Sequence, residues 1–242
     1  QVVLDNLMIC CEGSFMKKIN LSRVFWALIF LYVLSAKIVL SEGLYIEGQF
    51  MQNRINSVET DAYSGTVSGI TFTNLKANVD YKSKDATAIE LGYKFSDKIR
   101  FGVQYTEFQL DFSKGSVTGT ATDGATTISA AAEVTEADVN ALGLKFDNNV
   151  SFSMLNTYYD FSKSGPVTPF AGLGIGSANI SNATQQELAL SLTGGVSYDI
   201  NDKLYLGARI SYIRVDPLED SLGIKYQSPI VISSAVSLGY RF

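Results

Sequence analysis

The strongest constraint on the fold is the strict alternation of the last fourteen residues, Pro229 to Phe242 (PIVISSAVSLGYRF). Counting back in twos, Phe242, Tyr240, Leu238, Val236, Ser234, Ile232 and Ile230 share one face, and six of these seven are apolar or part-apolar. The other face carries Arg241, Gly239, Ser237, Ala235, Ser233 and Val231. A period of two is a strand. Such a strand is an aggregation hazard in water. The hazard disappears if the apolar face meets lipid and both edges are paired in a closed barrel.

The same alternation recurs through the chain. Four segments end on Tyr-x-Phe or Tyr-x-Ile: Tyr93-Lys94-Phe95, Tyr159-Asp160-Phe161, Tyr198-Asp199-Ile200 and Tyr240-Arg241-Phe242. Two junctions match closely, YKFSDKIRFG (93–102) and YDINDKLYLG (198–207), and each contains a short polar turn. Aromatic residues repeated at one strand end suit a girdle at the membrane interface. In order, the periodicity predicts strands at about 43–53, 86–95, 99–112, 150–161, 167–180, 187–200 and 204–216, then the terminal one. Roughly ten residues each is the length a tilted strand needs to cross the hydrocarbon core.

Three places break the pattern. Residues 54–85 read as a long polar loop, and Lys114 to Ala132, rich in Gly, Ser, Thr and Ala, as a mobile one. In the strand at 99–112 the parity flips, since Phe108, Leu110 and Phe112 fall on the polar side; a bulge near Thr106 or a rise past the membrane would account for it. Val139 to Phe146 is assigned to an ordered part of the loop, with a short helix begun at Thr135-Glu136-Ala137-Asp138. A ninth strand there would leave an odd count, unlike bacterial single-chain barrels.

The N-terminal part reads as an address. Met16 opens a basic start with Lys17, Lys18 and Arg23, followed by the apolar run Val24 to Ala36. That is a secretory signal peptide over 16–41, too short for a comfortable membrane span. Cleavage is expected at Ser41/Glu42, with Ala36/Lys37 as the alternative. Residues 1–15 read as a non-native upstream extension, and 42–242 as the barrel. The adjacent Cys10 and Cys11 lie in that extension and make a poor intramolecular staple.

Composition removes several functions. Histidine is absent, so His-dependent triads, metal sites and general bases are excluded. A net charge of −5 gives no general attraction to nucleic acid. Gly172, Gly174 and Gly176 form a GxGxG run without the βαβ context that nucleotide binding needs, and crowding inside a narrow barrel explains them better. Glu133, Glu136 and Asp138 offer oxygen ligands of the kind Ca²⁺ takes; a solvated acidic loop is the adopted reading. The inward-facing set contains Glu47, Glu90, Arg100, Arg209 and Arg241, which in a narrow lumen must pair or be hydrated. They are expected to form a network, with Glu90 and Arg209 at similar depth. Eight strands enclose little more than side chains, so a plug is expected rather than a selectivity ring.

Met154-Leu155-Asn156-Thr157-Tyr158-Tyr159-Asp160-Phe161, followed by Thr168-Pro169-Phe170-Ala171-Gly172-Leu173-Gly174-Ile175-Gly176, resembles the surface-antigen and opacity-type barrels, including the major surface proteins of Anaplasma, Ehrlichia and Wolbachia. The terminal alternation ending at Phe242 also resembles the closing strand of Gram-negative outer-membrane barrels. There the pattern (here Phe242, Tyr240, Leu238 and Val236) is the signal read by the barrel-assembly machinery. The resemblance implies a Gram-negative outer-membrane protein with exposed loops.

The expected fold is therefore all-β: an eight-stranded antiparallel up-and-down transmembrane barrel with long outer loops, preceded by a signal-peptide helix. The expected function is binding or structural, adhesin- or antigen-like, without catalysis or cofactor. Its partners would be outer-membrane lipid, the assembly machinery and a host or environmental ligand at the loops, with no nucleic acid. A narrow porin-like diffusion channel and a soluble secreted β-domain are the alternatives.

Overall fold

The computed structural model describes residues 43–242 except 68, 142–147, 163, 182 and 220–223. The expected signal peptide over 16–41, the expected upstream extension over 1–15 and the expected cleavage at Ser41/Glu42 lie outside the described residues. In chain order the strands are β1 (Leu44–Ile55), β2 (Val58–Glu59), β3 (Tyr63–Val67), β4 (Ile70–Tyr81), β5 (Lys84–Lys94), β6 (Ile99–Leu110), β7 (Phe112–Asp123) and β8 (Thr126–Thr135). The helix α1 (Glu136–Ala141) follows. Then come β9 (Asn148–Asp160), β10 (Val167–Ile180), β11 (Glu187–Asp199), β12 (Leu204–Val215), β13 (Leu218–Glu219), β14 (Lys225–Tyr226) and β15 (Ile230–Arg241).

Eight of these close a barrel in the order β1-β5-β6-β9-β10-β11-β12-β15, each antiparallel to the next. Closure comes from β1 and β15, whose register runs from Tyr45↔Arg241 to Ile55↔Val231. No barrel edge is left unpaired, which is what a sheet needs to cross lipid. At one end the connections are tight. The Ser96 hydroxyl accepts from the Lys98 and Ile99 amides at 3.3 and 3.1 Å. The Asn201 side-chain oxygen Oδ1 does the same for the Lys203 and Leu204 amides at 2.9 and 2.8 Å. The two similar junctions thus share one turn chemistry, and this short-turn end is periplasmic.

The outer surface is apolar where the sequence alternation places it. Leu188, Leu190, Leu192, Val196, Tyr198, Leu206, Ile210, Val236 and Leu238 all point outward and are exposed, with Leu173 at 66% and Phe95 at 70%. In water such a surface would be untenable; around a closed barrel it is a lipid belt. At its periplasmic margin sit the edge-to-face pairs Phe95–Phe101, Tyr159–Phe161 and Tyr240–Phe242.

No bulge lies near Thr106; the strand runs regularly to Leu110, and the register shifts only beyond it, where Tyr81 pairs with Phe112 and Asp80 with Lys114. The pairing of β6 with β9 is continuous from Ile99↔Tyr159 to Leu110↔Asn148, and Phe108 and Leu110 are buried inside the barrel. The polarity has inverted, not the register. Above the belt the outward residues Gln52, Arg54, Asp85, Thr87, Glu107, Gln109, Asn149 and Asn179 are polar and exposed. Inside, Met51, Ile55, Phe108, Leu110, Val150, Phe152, Ala178, Ala189, Val215 and Val231 form one apolar cluster. Outside that section there is water, so the interior must be oily for it to hold together. This also explains the poor alternation of β9, where Val150, Phe152 and Met154 point inward beneath outward Ser151 and Ser153.

Both long loops are more ordered than their composition suggests. The stretch 54–85 holds β2, β3 and β4, and Lys114 to Ala132 lies in the hairpin β7–β8 rather than in a mobile loop. These strands form a sheet ordered β2-β4-β7-β8, with β3 also paired to β4. Because β4 runs into β5 and β7 continues β6, the β5–β6 hairpin extends upward as a long ribbon. The helix begins where the sequence places it. Asp138 accepts from the Thr135 hydroxyl and amide at 2.7 and 2.9 Å, and the Asp138 amide returns to the Thr135 hydroxyl at 3.4 Å, a capping box.

Candidate functional site

The lumen is layered, and its central layer is built on two carboxylates. Glu47 and Glu90 are opposite each other across β1 and β5, and both are fully buried. Like charges so placed repel. The guanidinium of Arg209, from β12, two strands from β1 around the barrel, bridges them: it bonds Glu47 directly and reaches Glu90 at 3.4 Å. Three tyrosines complete the layer. Tyr45 and Tyr158 donate to Glu90 at 2.7 and 2.6 Å, and Tyr205 donates to Glu47 at 2.8 Å. Arg209 also donates to the Tyr158 hydroxyl at 2.9 Å. A chain of amides lies above: Asn156 to Gln104 at 2.9 Å, Gln104 to Gln49 at 3.1 Å, and Gln49 to Glu47 at 3.2 Å.

Small residues make room for these long side chains. Tyr45 faces Gly92, Tyr158 faces Gly172 and Tyr205 faces Gly239 in the strand register. A Cβ at any of these glycines would collide with the paired tyrosine ring. At Gly174 it would meet Asn156 and Ser191. The GxGxG run is thus an accommodation for the lumen's own side chains.

Of the five charges expected to form one network, three do so, Glu47, Glu90 and Arg209. The other two lie one layer toward the periplasm, each with a partner the sequence reasoning did not assign. Arg100 donates to Asp160 at 3.0 Å, with its guanidinium 4.6 Å from the ring centres of both Tyr158 and Phe170. Arg241 pairs with Asp199 at 2.8 Å and lies 4.4 Å from the Tyr205 ring centre. A signal for these partners was present. The middle residues of the four Tyr-x-Phe/Ile signatures are Lys94, Asp160, Asp199 and Arg241, and all four line one cavity.

That cavity, about 570 Å³, opens at the periplasmic mouth and ends against the Tyr45, Arg100 and Tyr205 side chains. Beyond the central layer the next space is only about 20 Å³, room for roughly one water. Above it stands the apolar cluster, with Phe108 and Phe152 stacked at 6.0 Å. The lumen is therefore filled by side chains along most of its length.

The remaining sequence-predicted residues are scattered. Val236, Leu238 and Phe242 point outward into the belt, with Tyr240 half-buried beside Phe242. The three loop acids are drawn apart. Glu136 pairs with Lys82 at 2.5 Å, Glu133 approaches Lys114 at 4.0 Å, and Asp138 caps α1. Among the described residues no group of three or more such side chains could hold a metal ion.

A family model described as "Surface antigen" matches residues 46–240. Among curated proteins, uncharacterized proteins of Brucella abortus, Brucella suis and Brucella melitensis are each 27% identical over 152 residues, 53% of this chain and 50% of theirs. The chain spans about half the length of these relatives. Among solved structures, Neisserial surface protein A is similar with a TM-score of 0.48 and 15% identity, over 83% of this chain and 97% of that one. The outer membrane protein OprG from Pseudomonas aeruginosa is similar with a TM-score of 0.47 and 16% identity, over 84% and 96%.

Proposed function

This chain belongs to the surface antigen family, and from that premise we propose that it is a surface-binding protein of the Gram-negative outer membrane, acting through the sheet above its barrel. The observation that carries the reading is that sheet. Two long connections are folded into β3, β4, β7 and β8 on a rigid stem. Ile128, Val134, Tyr63 and Ile70 are exposed on it, Ile128 at 59%. Surface loops held by a rigid scaffold are where binding residues concentrate. Among the described residues, β8 pairs on one side only, with β7. An exposed strand edge offers unpaired backbone groups to an extended partner segment, and this is the mode we assign.

Within the family we extend kinship to the major surface proteins of Anaplasma, Ehrlichia and Wolbachia. The support is the Met154–Phe161 and Thr168–Gly176 motifs, which occupy the neighbouring strands β9 and β10. Binding is favoured over catalysis because the buried carboxylates Glu47 and Glu90 are both engaged by Arg209 and tyrosine hydroxyls. It is favoured over a diffusion channel because the lumen is occupied above the periplasmic cavity.

The test replaces residues 114–134 with a short Gly-Ser link. The barrel should still assemble, seen as heat-modifiable migration on detergent gels. Adherence of cells displaying the protein to host cells or matrix should fall to background. Undiminished adherence would refute the role of the sheet, and steady discrete openings of the refolded protein in a planar bilayer would refute the binding reading in favour of conduction.

A further inference from the structure

The periplasmic cavity carries its charges in two arcs. Around the barrel, β15, β1, β5 and β6 are consecutive, and they contribute Arg241, Lys94 and Arg100. The opposite run, β9, β10 and β11 with the turn after it, contributes Asp160, Asp199 and Asp202. One acid departs from this order: Asp97, on the β5–β6 turn, is fully exposed and 3.8 Å from Lys94. The wall therefore carries its bases on one arc and most of its acids on the other, joined at 3.0 Å by Arg100–Asp160 and at 2.8 Å by Arg241–Asp199.

Two polar atoms in this wall have no protein partner. Arg100 and Thr168 are each 6% exposed, and both line the cavity. Arg100 Nη2 and Thr168 Oγ1 are nevertheless unbonded within the protein. Leaving a buried guanidinium N–H unsatisfied is costly, so this spot calls for an acceptor. Aromatic faces at Tyr45 and Tyr205 lie alongside. The volume falls in the range of small-molecule sites.

We infer that this mouth is a binding site for a small zwitterion, an amino acid or short peptide with both termini free, taken from the periplasmic side. The carboxylate docks at the Arg100–Thr168 end of the wall, where a small side-chain adjustment brings Arg100 Nη2 and the Thr168 hydroxyl, both closed to solvent as they stand, into reach. The ammonium meets the acidic arc at Asp199 and Asp202. A multiply charged anion such as phosphate is disfavoured, because Asp160 and Asp199 stand within the same wall. The site is a dead end: the Glu47–Arg209–Glu90 layer closes it from above. It lies on the opposite side of the membrane from the β7–β8 sheet, so the two readings stand or fall separately.

The full chain is refolded into micelles and titrated with glycylglycine, with N-acetyl-glycylglycine amide, and with inorganic phosphate. The backbone amides and the arginine Nε–H signals are followed by NMR. Glycylglycine should give saturable shifts at Arg100, Thr168, Ser197 and Arg241, with no change around Phe108. The blocked peptide should bind about tenfold more weakly or worse, having lost the charge-assisted bonds. Thr168→Val should weaken glycylglycine several-fold while leaving the amide spectrum of the central layer intact. Arg241→Gln serves as a second variant that does not touch the buried Arg100. Equal binding of the blocked peptide, equal binding of phosphate, or no saturation up to the order of 10 mM would each overturn the assignment, the last leaving a cavity that holds water alone.

Discussion

Glu90 shows how much of this lumen rests on single side chains. It accepts from Tyr45, Tyr158, Asn156 and Arg209, and no other residue has so many partners in the central layer. Removing Arg209 would leave two carboxylates buried side by side. Arg209→Met should therefore destabilise the barrel by about 3–5 kcal/mol, read by urea unfolding in lipid, and Glu90→Gln in the same chain should recover part of the loss. A second residue-scale prediction concerns packing. Gly92→Ala places a methyl against the Tyr45 ring, which supplies its three nearest atoms. It should cost about 1–3 kcal/mol alone. The cost should shrink in a Tyr45→Ala background, and a double-mutant cycle measures the coupling. At this scale the charged residues were legible and their partners were not. Parity along a strand tells which side chains point inward. It does not tell which of several inward acids an arginine reaches, because that depends on how far each strand is staggered against its neighbour. The tyrosines follow the same limit: parity puts Tyr45 inward with Glu47 and Tyr205 inward with Arg209, but does not tell that their hydroxyls reach Glu90 and Glu47.

The elements outside the membrane show a different limit. Gly, Ser, Thr and Ala dominate the β7–β8 hairpin, a composition that reads as a mobile loop. Yet Asp123-Gly124 sits at its tip between runs of threonine, and Gly124 has φ of 58°. That dipeptide is a strong hairpin signal. Thr122 and Thr127 hydroxyls meet across the strands at 2.9 Å, as do Thr66 and Thr71 at 3.0 Å in β3–β4. Small β-branched residues with no apolar face produce no visible alternation, so periodicity misses a sheet wetted on both sides. Gly124→Val forces a left-handed backbone on a branched residue and should weaken the hairpin by about 1–2 kcal/mol. Hydrogen exchange in β8 should accelerate while barrel melting stays unchanged. The start of α1 gives a pH dependence. Hydrogen bonds from the Thr135 side chain and amide hold the Asp138 carboxyl below its usual value. A depressed folded value means that the cap contributes above the unfolded carboxylate range and is lost as pH falls through the folded value. Amide exchange across Glu136–Ala141 should therefore rise in acid, and in Asp138→Asn that acid-dependent increase should be absent.

For the whole molecule, the outward face was readable from end to end, because lipid imposes one rule on every strand that crosses it. Strand number, direction and the short periplasmic turns follow from that rule. What could not be read is where the rule stops. From Leu204 to Tyr212 the apolar outer face of β12 rises about 20 Å along the barrel axis. Beyond that height the strands continue in water and their preferences exchange sides. The parity break at Phe108 marked the crossing point, but a single strand could not separate a bulge from a change of surroundings; eight registers together do. Refolded into a planar bilayer, the protein should show no steady openings, because the charge layer and the apolar cluster block the axis in series. Truncating Phe108 to Ala should cost about 3–5 kcal/mol, as in the core of a globular protein.

A protein engineer moving up β6 would thus have to swap textbooks halfway. At Gln104 the tolerated inward changes are hydrophilic and at Val103 the tolerated outward ones greasy; four residues later, at Phe108 and Glu107, each choice is reversed. A library that randomises this strand under one pattern would lose either its foot or its head.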